Sequence, residues 1–214
     1  MAVRDLVIVG AGGHGREVVD TVAAVNAERS TWNLLGVVDD APGHPERLGR
    51  LGVELLGDVG WLVAHPCTYV LGVGTSGPRR ALSARLAAAG MEAATVVHPG
   101  ARIGSDCRLG EGVMVFDRTT VTTNVTIGAH THLNVACAVQ HDTVVGAFVQ
   151  FSPGVLVNGD CVLGDDVFLG TGAVVTRGTT VGDDARIGAG AVVLDDVATG
   201  SLVVGVPARP VPGR

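Results

Sequence analysis

The chain contains no lysine; all fifteen of its basic residues are arginine. Aromatic residues make up only 3% of the sequence, so any large core must be built from Val, Leu, Ile and Ala. No apolar run reaches the ~20 residues that a helix needs to span a bilayer, and membrane insertion is not expected. The four cysteines show no paired CxxC spacing, which removes the usual thiol metal cage and redox pair. A formal net charge of -6 is ill suited to broad nucleic-acid binding. The opening "MAVRDLVIVGAGG" runs straight into a strand-and-glycine pattern, without a cleavage-type segment. A soluble, cytoplasmic, metal-free protein with reduced thiols is the expectation.

Glycine is plentiful, at 32 residues, but lacks the three-residue spacing of collagen. The 214 residues suffice for one large domain or two small ones, and two periods divide them. Over 1–94, apolar strands alternate with helical stretches: "LVIVG" (6–10), "GREVVDTVAAVNA" (15–27), "LLGVVDD" (34–40), "YVLGVG" (69–74) and "RRALSARLAAAG" (79–90). Strand–helix alternation predicts a parallel α/β sheet of Rossmann-like type. Over 95–214 the period becomes six. Every sixth residue from Val97 to Val193 is large and apolar, seventeen in all. Four residues after each, from Ala101 to Val197, comes a small or β-branched residue. A register this long predicts an all-β parallel β-helix over 97–198, with both rows facing inward. Cys107, Cys137 and Cys161 fall in the small row and read as core hydrophobes.

This frame explains "NVACAVQHDTVVG" (134–146), an apolar run with a titratable pair in its middle. Val139 and Thr143 point inward, so His141 and Asp142 face out. Histidine suits a general base because its unperturbed pKa of ~6.5 lies near working pH. A neighbouring carboxylate can orient it and stabilise the imidazolium. On spacing alone the pair reads as a solvated surface pair. In the first half, Gly10, Gly12 and Gly15 form GxGxxG between a strand and a helix, geometry that places a phosphate at a helix N-terminus. Asp39 and Asp40 follow the next strand, where a ribose-binding acid belongs, and read equally as turn acids.

"VGAGGHGREV" (9–18), "VDD" (38–40), "GVGTSGPRR" (72–80), "QHDTVVG" (140–146) and "GVPAR" (205–209) occur in this order around the hexad array. Nearly the whole chain thereby resembles bacterial sugar acetyltransferases of the sialic-acid O-acetyltransferase and UDP-4-amino-sugar N-acetyltransferase type. The resemblance implies a left-handed coil, a homotrimer, and acetyl-CoA bound between the coils of two subunits. It implies transfer to the amino group of a UDP-linked sugar, or to a sugar hydroxyl. His141 then reads as the base, with Asp142 and Asn134 beside it. Gly10, Gly12, Gly13, His14, Gly15, Asp39, Asp40, Gly74 and Arg79 are expected around the nucleotide sugar. Gly159 is expected to offer its N–H to the thioester oxygen, with Gly170, Thr171, Gly188 and Ala189 along the pantetheine and Arg209 at a CoA phosphate. Where the family pattern has a second histidine this chain has Gln150, expected to contact substrate or acyl donor; glutamine cannot act as a base near neutral pH.

Two other readings remain open on sequence. In a zinc hydratase, His130, His132 and His141 would be ligands, although solvated turn positions describe the first two better. In a non-catalytic nucleotide-sensing scaffold, Gln150 would mark lost activity.

Overall fold

The structure, a computed structural model, describes residues 2–211. The chain divides into two compact units, Met1–Pro99 and Gly100–Arg214. In the first, β1 (Arg4–Val9), β2 (Trp32–Val38), β3 (Leu55–Gly57) and β4 (Thr68–Leu71) form one parallel sheet in the order β3-β2-β1-β4. α1 (Gly13–Glu28), α2 (Glu46–Gly49) and α3 (Val59–Ala64) connect the strands, and α4 (Ser76–Ala88) follows β4. Leu6, Val7, Ile8 and Val9 are all buried, which is why β1 reads as a continuous apolar run: both of its faces are covered. The sequence periods do not show α2, β3 or α3, which are three to six residues long. A local signal does exist for α3, since the Asp58 carboxylate caps it by accepting from Trp61 N–H at 3.0 Å.

The second unit is a three-faced coil. From Arg102–Ile103 to Val192–Val193 a two-residue strand recurs every six residues, and strands eighteen positions apart pair in parallel, as Thr126 does with Val144. One coil is thus three hexads, and the three faces are three separate sheets. The corners use a left-handed backbone at regular spacing: Asp106, Arg118, Asn124, His130, Ala136, Asp142, Phe148, Asp160, Asp166 and Asp184 all have φ between 52° and 60°. Asp and Asn tolerate that region better than most residues, which accounts for the acid-rich corners. Glycine recurs at 110, 128, 146, 164 and 182, on one corner of successive coils, because the next coil passes too close for a side chain. A Cβ on Gly182, for example, would lie 2.6 Å from the amide nitrogen of Thr199.

Fourteen of the seventeen large inward residues are buried; the exceptions, Val97, Ile103 and Leu109, lie at the first turns, as do the half-buried Ala101 and Cys107. Each fully buried Val, Leu, Ile or Phe contributes about 1.5–3 kcal/mol, so the row supplies most of what holds the coils together. The expectation that His130 and His132 are solvated turn residues is overturned. They are 2% and 0% exposed, His130 stacked on Phe148 with ring centroids 5.0 Å apart. Among the described residues, no helix is long and apolar enough to cross a membrane.

Candidate active site

The His141 corner joins strand Ala138–Val139 to strand Val144–Val145. Val139 and Thr143 are fully buried, and the Thr143 hydroxyl donates to the Asn158 carbonyl at 3.1 Å, locking the turn to the next coil. Between them His141 and Asp142 are forced outward, with side chains 43% and 47% exposed. His141 Nδ1 lies 2.7 Å from Asp142 Oδ2. An ionised carboxylate at that nitrogen fixes the proton on Nδ1 and leaves the Nε2 lone pair open, as a general base requires. Asn124, one coil earlier, donates from Nδ2 to the other oxygen, Asp142 Oδ1, at 2.7 Å. The Asn124 hydrogen bond first, and the His141 bond second, hold the Asp142 carboxyl below its ordinary range. Both bonds favour the ionised form of Asp142.

The next coil supplies the floor. A Cβ on Gly159 would lie 2.5 Å from His141 Nε2 and 2.9 Å from Nδ1, so the imidazole rests where a side chain would otherwise stand. Asp160 N–H donates to the His141 carbonyl at 2.9 Å. Arg177, one coil further on, donates from Nε and Nη2 to Asp160 Oδ2 at 2.8 and 2.5 Å. Asn124, Asp160 and Arg177 were not singled out from the sequence. The signal was there, because 124, 142 and 160 are spaced by one coil, but nothing in the hexad pattern says which outward residues reach one another.

Other expected site residues lie elsewhere on the coil. Asn134 occupies a different corner, where its Oδ1 accepts from Val135 N–H at 2.7 Å. Gln150 is buried on another face, in register with His132 and Phe168, and donates to the Phe151 carbonyl at 3.0 Å. Gly170 meets the Ala189 amide, so coil packing by itself demands a glycine there. Thr171 and Ala189 are exposed and Gly188 half-buried. Arg209 is exposed, 3.6 Å from Asp195. The zinc arrangement is not assembled: among the described residues the one His/Cys/Asp/Glu group with ligand atoms in mutual reach is His141, Asp142 and Asp160, without His130 or His132.

In the first unit, Gly10 has φ +118° and a Cβ there would lie 2.8 Å from the Gly72 carbonyl oxygen. A Cβ on Gly15 would collide with the Gly10 carbonyl. These two glycines let α1 start directly against the ends of β1 and β4. A Cβ on Gly12 would meet nothing within 4 Å and one on Gly13 would lie 3.8 Å from Arg16 Nη2; α1 begins at Gly13, with no side-chain cap from Gly12 and no acid in its first turn. The N-terminus of α1 carries the partial positive charge that favours an anion. Asp39 is committed to the loop: Oδ2 accepts from Ala11 N–H at 2.6 Å and Oδ1 from Ala41 N–H at 2.8 Å. Asp40 accepts from Val59 N–H and from Arg85. His14 lies against Gly74. Arg79, expected around the nucleotide sugar, is fully buried, and its Nη1 donates to the Val73 carbonyl at 2.9 Å, propping the β4–α4 loop.

Cys137 is buried in the small inward row, and burial pushes its thiol up to about 11. A thiol held neutral in the core is a poor nucleophile. Cys137→Ala is accordingly expected to keep the wild-type transfer rate while lowering stability by about 1 kcal/mol through lost packing. Denaturant unfolding beside steady-state kinetics checks this, and an acylated Cys137 trapped during turnover would contradict it.

A parallel coil of hexads bearing an exposed His–Asp pair, joined to a Rossmann-like unit, defines a hexapeptide acyltransferase. The bacterial transferase hexapeptide model matches residues 160–195, and the PglD N-terminal domain model matches residues 5–86. PerB from Caulobacter crescentus, solved with CoA and GDP-perosamine, is 30% identical, each chain being covered to 98%, with a TM-score of 0.88. Forms of that perosamine N-acetyltransferase with a histidine replaced by Asn or Ala are also solved with both ligands. The acetyltransferase domain of PglB from Neisseria gonorrhoeae FA1090, in complex with acetyl coenzyme A, is 29% identical over 98% of this chain and 100% of its own, with a TM-score of 0.88. WeeI from Acinetobacter baumannii AYE is 28% identical over 96% of this chain and 99% of its own, at 0.84. No curated protein matches the chain. The chain belongs to the NeuD- and PglD-like family of left-handed β-helix sugar acetyltransferases, enzymes that use acetyl-CoA.

Proposed function

We propose that this protein transfers the acetyl group of acetyl-CoA to the amino group of a nucleotide-linked amino sugar, with UDP as the nucleotide and His141 as the general base. The observation that carries the reading is the His141–Asp142 pair, with Nδ1 bonded to the acid and Nε2 open. In the reaction the sugar amine attacks the thioester carbonyl carbon while His141 Nε2 takes the amine proton. The tetrahedral oxyanion collapses, the carbon–sulfur bond breaks, and the imidazolium returns its proton to the CoA sulfur. Asp142 stabilises the imidazolium in between. The Gly159 N–H is assigned to the oxyanion, since Gly159 packs directly against the imidazole.

Residues 1–94 hold the nucleotide sugar, its phosphates at the Gly12–Gly13 end of α1, and 95–214 carry the chemistry. The enzyme works as a homotrimer. Val144 and Val162 on one face and Leu156 on the next are 42–48% exposed outward residues flanking the His141 corner, which suits a second copy that turns this wall into a cleft.

Mass spectrometry tests the reading on acetyl-CoA with UDP-, GDP- and dTDP-linked amino sugars. One added acetyl group on the UDP-linked 4-amino sugar, stable to mild alkali, is the expected product. An alkali-labile ester would mean O-transfer, a GDP-linked product would replace UDP, and nucleotide binding without any product would mean a scaffold.

A further inference from the structure

Two carboxylates, not one, stand beside the imidazole. A ring nitrogen of His141 and one carboxylate oxygen each of Asp142 and Asp160 lie within 4.8 Å of one another. Only Asp142 is bonded to the ring, at 2.7 Å. Asp160 comes from the following coil, eighteen residues on, where it occupies the equivalent left-handed corner position with φ 59° against 60° for Asp142. Its Oδ2 takes both Nε and Nη2 of Arg177. Gly159 makes the approach possible, since a side chain there would occupy the space between the imidazole and the Asp160 turn.

Chemically, the arrangement poses a problem that Arg177 solves. A free carboxylate next to an imidazole competes with Asp142 for the ring proton and favours the imidazolium, which cannot accept a proton from substrate. The charged groups against the ring are Asp142 on its own turn, and Asp160 and Arg177 from the two coils that follow. The preceding coil presents the neutral Thr123 and Asn124. With Arg177 present, the following coils contribute one negative and one positive charge; without it they contribute a bare carboxylate.

We propose that Arg177 is a positioning residue for the base: its ion pair with Asp160 holds that carboxylate off the imidazole and leaves Asp142 the one acid bonded to His141. The inference rests on the reading of His141 as the base. An ion pair with Arg177 71% and Asp160 41% exposed adds little to folding, so removing it isolates the electrostatic role.

The test uses the full chain and three variants, Arg177→Ala, Asp160→Asn and the double variant. Two readouts are taken: the pH dependence of kcat/KM, and the histidine ring titration by NMR, with the His141 signal assigned by its loss in His141→Ala. In Arg177→Ala the ring titration and the acid limb of kcat/KM are both expected to move up by about half a pH unit to one unit, the size of one uncompensated charge at this range in a wet site. Adding Asp160→Asn is expected to restore both. An unmoved ring titration in Arg177→Ala would overturn the proposal, as would a rise in KM for acetyl-CoA with no pH shift, which would make Arg177 a ligand of the cofactor. A ring titration that moves while the acid limb stays fixed would uphold the role of Arg177 and remove His141 as the base.

Discussion

His141→Ala is expected to lose about 10²–10⁴-fold in acetyl transfer, the usual contribution of a general base. That loss corresponds to about 3–5 kcal/mol of barrier. The fold should survive, because the side chain stands on the outer wall and its one side-chain bond is to Asp142. The inward residues of the corner, Val139 and Thr143, are untouched. Release of free thiol from acetyl-CoA at saturating acceptor measures the rate, and thermal unfolding checks the fold. Asp142→Asn should be milder, since it removes the stabilising charge but leaves the base. A His141→Ala enzyme keeping more than about a third of the wild-type rate would remove His141 from the base role, and would point to a protein that works by holding two substrates together.

Gly159→Ala is expected to be the next most damaging single change, and it adds only a methyl group. That methyl would stand 2.5 Å from His141 Nε2, well inside van der Waals contact, so the imidazole has to move. Displacing a catalytic group by about 1 Å can cost roughly a hundredfold, and a loss of about 10–100-fold in kcat is expected. The backbone tolerates alanine here, because Gly159 is absent from the positive-φ corner positions. Alanine also keeps the N–H that is assigned to the oxyanion. The variant thus separates the position of the ring from the donor beneath it. Unchanged kcat with unchanged melting temperature would show that the ring does not work from this position.

The repeat made the coil legible. A six-residue period fixes which residues point inward, and fourteen of the large row are buried as the spacing requires. The same logic placed His141 and Asp142 outward from their inward neighbours alone. What spacing could not give is reach between coils. Asn124, Asp160 and Arg177 meet the His–Asp pair because one coil is eighteen residues, a length set by the packing of three faces rather than by any single hexad. Burial of outward residues was also beyond it: His130, His132 and Gln150 sit at outward positions and are still covered. In the α/β half the long helices and strands carried their own periods. The family resemblance placed Arg79 around the nucleotide sugar; its burial and its bond to a backbone carbonyl are tertiary events with no local signature.

The central claim is that His141 Nε2 removes the proton from the sugar amine. A crystal structure of the assembled protein with CoA and an unreacted nucleotide-linked amino sugar measures the deciding distance. An amine within about 2.6–3.2 Å of His141 Nε2, directly or through one water, is the expected result. An amine resting on another face of the coil, with His141 open to solvent, would contradict it.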